Sequence, residues 1–161
     1  MTKSGKGEGR IEADAMVSWS GWGGEVEGGS GVLKARTATQ VELGGPGSAT
    51  NPEELLAAAL ANCYTSTITA HARSRKIELD HIETRARTRL AWDENTPHHI
   101  AEGALSVRIF SPAPEEVLRA LAQDAREHCP ICNVLGATAK VTLAVSIQPS
   151  GEDKVCPNPD N

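Results

Sequence analysis

From Ile82 to Trp92 the chain alternates strictly between two kinds of residue. Ile82, Thr84, Ala86, Thr88, Leu90 and Trp92 interleave with Glu83, Arg85, Arg87, Arg89 and Ala91. A period of two predicts a strand with the first set facing inward and the second facing water. A turn over Asp93–Pro97 then leads to a pairing strand over 99–110, with Ala104 to Phe110 as its firmest part. Before this hairpin, the pattern predicts a meander of three strands at about 13–20, 22–27 and 31–41. Gly21 and the run Gly28-Gly29-Ser30-Gly31 separate them. The period changes after the glycine-rich loop 44–50: Leu55, Leu56, Ala59, Leu60 and Cys63 recur at helical spacing within a helix over 52–75. Pro114-Glu115-Glu116 opens a second helix ending near His128, with Val117, Leu118, Leu121 and Ala125 on its inner face. Cys129-Pro130 begins a short third helix that stops by Gly136, and 140–148 reads as a last strand. The order βββ–α–ββ–α–α–β marks an α+β fold with mostly antiparallel pairing. It spans a single domain over 13–149. Residues 1–12 read as a loose N-terminus and 150–161 as a disordered tail.

Composition adds two constraints. The 161 residues contain one Phe, one Tyr and three Trp, so the apolar inventory rests on Ala, Val and Leu. Such a core is thin for a monomer, which points to completion by a partner subunit. The net charge of −5 leaves no excess of cations to neutralise phosphates, which excludes a nucleic-acid binder. The alternating Arg85, Arg87 and Arg89 read as a solvated strand face. The N-terminus lacks the apolar core of a secretory signal, and no run approaches the roughly 20 apolar residues of a membrane span. A cytoplasmic location follows as the expectation. There, cysteines are more often catalytic, redox-active or metal-binding than structural staples.

The helix over 52–75 carries the first candidate chemistry. Asn51 suits the cap, Pro52 the first helical position, and Glu53 and Glu54 the positive end of the dipole. Cys63 lies on its apolar face; alone it reads as a small hydrophobe, which burial would leave inert. Cys129 follows 66 positions later, before Pro130, which puts its sulfur at a helix N-terminus where the dipole favours an anion. Cys129-Pro130-Ile131-Cys132 is also a Cys-x-x-Cys unit. Zinc would need two further ligands with suitable spacing, and the adjacent His98 and His99 point to opposite faces of a strand, so no metal is expected. A thioredoxin-type reading lacks its preceding βαβ strand. Cys132 and Cys156 are expected to be spectators.

The run Glu42-Leu-Gly-Gly-Pro-Gly-Ser-Ala-Thr-Asn-Pro-Glu-Glu-Leu-Leu-Ala-Ala-Ala-Leu-Ala-Asn-Cys63 resembles the first cysteine motif of the OsmC/Ohr family, the osmotically inducible and organic hydroperoxide resistance proteins. His128-Cys-Pro-Ile-Cys-Asn133 resembles the second. The element order agrees with that family from about 13 to 148. The resemblance implies an OsmC-like fold, with a mostly antiparallel sheet packed on two central helices in an intertwined homodimer. It implies a thiol peroxidase without metal or organic cofactor. Cys63 would attack the peroxide and become a sulfenic acid, Cys129 would condense with it to a disulfide, and an external dithiol would reduce that disulfide. Glu53 matches the family's active-site glutamate. Ten residues along one helix is about 15 Å, so Glu53 would have to serve the Cys63 of the partner chain. Without the resemblance it reads as an ordinary helix-start carboxylate.

One position departs from the pattern. The family's arginine, which pairs with that glutamate, falls near Trp22 and Glu25 in one branch and near Thr39–Glu42 in the other. Neither place holds Arg here, and Arg36 is roughly 13 Å along the strand from Gln40. The leading reading is a homodimeric two-cysteine peroxidase for organic hydroperoxides, with hydrogen peroxide a poorer substrate. The alternatives are a divergent stress protein whose thiols bind or sense without efficient turnover, and a disulfide reductase using Cys129 and Cys132.

Overall fold

The computed structural model describes residues 11–150; the sequence-based expectations for 1–10 and 151–161, Cys156 included, lie outside them. The described strands and helices follow the expected order. The chain divides into two compact units, one ending at Pro52 and one beginning at Glu53.

The first unit is a three-stranded antiparallel meander of β1 (Ala15–Ser20), β2 (Gly23–Gly28) and β3 (Lys34–Ala38). Gly21, at φ +61, supplies the left-handed residue of the β1–β2 turn. Strand β3 is shorter than the 31–41 expected from the sequence. Gly31, at φ +73, donates its backbone N–H to Gly28 and keeps the preceding turn going to residue 33. Thr39 N still donates across to Trp22 O, but beyond it the backbone bonds to itself: Gly44 N donates to Val41 O, Gly45 N to Gln40 O and Gly47 N to Thr39 O. A 3₁₀ turn over Val41–Leu43 results, closed by Gly44 at φ +82.

The second unit contains α1 (Pro52–Arg75), β4 (His81–Ala91), β5 (His99–Phe110), α2 (Glu115–His128), α3 (Pro130–Gly136) and β6 (Lys140–Gln148). The strands form one sheet in the order β4-β5-β6. β4 and β5 are antiparallel, whereas β6 runs parallel to β5, with Leu105 opposite Leu143. The parallel pairing follows from the connection: α2 and α3 carry the chain back to the starting edge before β6 begins. On β4 the alternation holds. Glu83, Arg85, Arg87 and Arg89 are exposed, and the intervening residues are half-buried. The register places Glu83 opposite Arg108 and Arg89 opposite Glu102, and both pairs form ion bridges, at 2.7 and 3.0 Å. Trp92, expected inward, is exposed and tilts against His98. A register shift at Arg89/Leu90 breaks the period, and β4 ends at Ala91, so the alternation no longer governs Trp92.

The core of this unit lies between helices and sheet. Leu60, Tyr64, Ile68 and Ala72, four apart on α1, meet Leu105, Val107 and Ile109 of β5 and Leu118, Leu121, Ala122 and Ala125 of α2. Each large apolar side chain fully buried there contributes about 1.5–3 kcal/mol. Tyr64 alone brings a buried polar atom from this stripe, and its hydroxyl donates to Ala122 O at 3.0 Å, joining α1 to α2.

Candidate functional site

The buried stripe of α1 explains where Cys63 sits. Residues 60, 64, 68 and 72 point into the core, and Cys63 flanks that stripe, half-buried and packed against its edge. The Thr67 hydroxyl donates to the Cys63 carbonyl at 2.9 Å within the same helix. Two residues after Cys63, the Thr65 hydroxyl donates to Ala61 O and meets the Thr84 hydroxyl of β4 at 2.7 Å, which ties α1 to the sheet.

Cys129 arrives from the other side. It ends α2 and caps α3 in an extended conformation, with Pro130 as the first helical residue. Its sulfur accepts the Cys132 backbone N–H at 3.5 Å, as an N-cap acceptor does toward the third residue of its helix. The Cys129 side chain is fully buried and Cys132 nearly so. Cys63 packs against the buried cluster that contains both Cys129 and Cys132. The structure therefore brings Cys63 and Cys129, 66 positions apart, into one neighbourhood, and adds Cys132, expected from the sequence to be a spectator.

The surroundings of Cys63 and Cys132 favour neutral sulfur. Burial pushes the Cys63 thiol above its ordinary value of 9.0; the backbone amide of Ile131 pulls it down, and the hydrogen bond and charge of Cys129 push it up again. Among the described residues, no cationic side chain is one of the groups that move it. Cys132 is pushed up to about 12, by burial first and then by Cys129, with the charge of Arg126 opposing. Burial, with the nearby cysteines, also raises the Tyr64 phenol.

Glu53 is not brought to Cys63 within the chain. Both lie on α1, ten residues and about 15 Å apart along its axis. Glu53 is half-buried, and its carbonyl accepts a hydrogen bond from the Thr88 hydroxyl at 2.9 Å. Arg36 lies on β3 opposite Glu25 in the first unit.

A second polar cluster went unnoticed in the sequence. Asp124 of α2 accepts from His71 Nδ1 at 2.6 Å and from Arg75, both on α1, and lies 3.3 Å from His128 Nδ1. The only local signal for it is the four-residue spacing of Asp124 and His128. Atoms of His71, Asp124 and His128 lie within 4.8 Å of one another, a spacing a metal ion could use. Arg75, however, already occupies the carboxylate, and His128 Nδ1 donates to the Asp124 carbonyl at 2.8 Å. These bonds make the cluster a clamp between α1 and α2. Partial burial alone would raise the Asp124 carboxyl, but the His71 hydrogen bond and the Arg75 and His128 charges outweigh it and hold the carboxyl low.

Fold and site together define an α+β protein that packs a thiol of α1 near a thiol at the α2–α3 junction. The sequence model of the family described as OsmC-like protein matches residues 45–144, a span that includes Glu53, Cys63, Cys129 and Cys132. An organic hydroperoxide resistance protein-like protein of Staphylococcus aureus (strain USA300) is 27% identical over 101 residues, covering 63% of this chain and 72% of that protein. The crystal structure of an organic hydroperoxide resistance protein OsmC from Legionella pneumophila is 32% identical. It superposes with a TM-score of 0.76 over 86% of this chain and 99% of that one. An organic hydroperoxide resistance protein from Elizabethkingia anophelis, with thiocyanate bound, is 26% identical, with a TM-score of 0.77 over 88% and 99%. The chain belongs to the OsmC-like family and has its fold.

Proposed function

We propose that this chain is a two-cysteine peroxidase that reduces organic hydroperoxides. The observation that carries the reading is the packing of Cys63, from the middle of α1, against the buried cluster that holds Cys129, from the α2–α3 junction. Names of relatives that refer to organic hydroperoxide resistance point to the substrate class. The Cys63 thiolate attacks the terminal peroxide oxygen; the O–O bond breaks, an alcohol leaves, and Cys63 becomes a sulfenic acid. The Cys129 thiol then attacks that sulfur, forming the disulfide and releasing water. An external dithiol restores both thiols, consistent with action in the reducing cytoplasm. Leu56, Leu60 and Tyr64 make the surroundings apolar, which favours an alkyl peroxide over hydrogen peroxide.

The working unit in this reading is a homodimer in which Glu53 of one chain orients the site around Cys63 of the other. Two features support it: the 15 Å that separates the two residues on α1, and the exposed apolar side chains of Met16, Val17 and Trp19 on β1. The raised ionisation of Cys63 favours one rival, a protein whose thiols sense oxidants without rapid turnover. Stopped-flow reaction of the reduced protein with cumene hydroperoxide separates the two. A peroxidase consumes the peroxide faster than free cysteine at the same pH and loses that rate in Cys63→Ser. A rate no faster than free cysteine's, and unchanged in the variant, excludes catalysis. Mass mapping after one equivalent of peroxide should find Cys63 linked to Cys129.

A further inference from the structure

Cys132 has no part in the scheme above, yet its sulfur sits beside the sulfur that the scheme oxidises. Cys129 is the cap of α3 and Cys132 is the third residue of that helix, so their side chains project from the same turn. As the extended cap, Cys129 turns its sulfur back over the first turn of α3, 3.5 Å from the Cys132 backbone nitrogen, so the two thiols start from neighbouring positions. That Cys132 backbone N–H donates to the Cys129 sulfur, and Cys63 packs against the buried cluster that holds both. Cys129 therefore shares one buried neighbourhood with both other thiols, as the sulfur attacked in an exchange must.

We infer that Cys132 is a second resolving thiol, which takes the disulfide over from Cys63. The inference rests on the peroxidase reading. In this step the Cys132 thiolate attacks Sγ of Cys129 within the Cys63–Cys129 disulfide. The Cys129–Cys132 bond forms and the Cys63–Cys129 bond breaks. Cys63 leaves as a thiolate and takes up the proton that Cys132 gave up; nothing is oxidised or reduced overall. The first disulfide also removes an obstacle. Burial still raises the Cys132 thiol most, but with Cys129 no longer a thiol the contribution of Cys129 is gone and the attraction of Arg126 remains. The oxidised pair ends in a buried turn, while the more accessible Cys63 is free for another peroxide.

The test uses the full-length reduced protein, one equivalent of cumene hydroperoxide and no added reductant. Aliquots are quenched by alkylation and mapped by mass spectrometry. The Cys63–Cys129 link should appear first and give way to a Cys129–Cys132 link, with Cys63 again alkylated. In Cys132→Ser the reaction should stop at Cys63–Cys129, and in Cys63→Ser the Cys129–Cys132 link should not form at this dose. Persistence of Cys63–Cys129 in the wild type overturns the relay and leaves the peroxidase reading intact. Formation of Cys129–Cys132 at the same rate in Cys63→Ser also overturns it. Absence of any Cys63 oxidation sinks the peroxidase reading instead. If Cys132→Ser does not fold, Cys132→Ala keeps the apolar packing and gives the same readout.

Discussion

The ionisation of Cys63 gives the most direct handle on the chemistry. In the folded chain burial and Cys129 together outweigh the Ile131 amide and hold the thiol above 9.0, so it is protonated at neutral pH. Only the thiolate attacks a peroxide, and a neutral cumene hydroperoxide does not titrate in this range. The rate of Cys63 oxidation should therefore rise about tenfold per pH unit, or about a hundredfold between pH 6 and 8, equivalent to about 2.7 kcal/mol in apparent barrier. The assay is single-turnover loss of the Cys63 thiol at constant ionic strength, followed by alkylation and mass spectrometry. Cys129→Ala removes a hydrogen bond and a charge that both raise the Cys63 thiol, so the titration should move to lower pH and the rate at pH 7 should increase. A rate level from pH 6 to 8 would refute this account, because it would mean that a cation in the assembled protein overrides burial. A slower Cys129→Ala variant at pH 7 would refute the role assigned to Cys129.

Further outcomes follow from other parts of the structure. If Glu53 acts across the dimer, coexpressing Glu53→Gln with Cys63→Ser at equal levels should restore about a quarter of wild-type activity. Half of the dimers are then mixed, and each mixed dimer has one intact site; no recovery beyond the single variants would refute the crossing. Leu60 is fully buried between α1 and the sheet, so Leu60→Ala should cost about 2–5 kcal/mol in urea unfolding. Tyr64→Phe should cost only about 1 kcal/mol, since the Ala122 carbonyl keeps its helical partner. Asp124 is held low in the folded state, so its contribution is present above the unfolded carboxylate value. It is lost as pH falls through the lower folded value. Urea midpoints at pH 6 and pH 3 should show a smaller acid loss in Asp124→Asn than in the wild type.

Local pattern was enough for the elements. The period of two over 82–92, the change to helical spacing after Asn51 and the Pro-Glu-Glu opening of α2 place strands and helices where the structure has them. Proximity in sequence also determined that Cys129 and Cys132 share one turn, and that Glu53 and Cys63 are too far apart on a single helix to meet. The 3₁₀ turn at Val41–Leu43 and the outward Trp92 escaped the pattern because hydrogen bonding in a glycine loop and a shift of strand register are not encoded in hydrophobic period. The meeting of Cys63 with Cys129, the Asp124 clamp on His71 and Arg75, and the parallel β5–β6 pair were decided by tertiary structure alone. Each joins residues separated by dozens of positions, and what unites them is burial of the α1 stripe against β5 and α2, a constraint no local window contains. Packing likewise set the ionisation of the thiols, because desolvation depends on which atoms surround a sulfur and not on its neighbours along the chain.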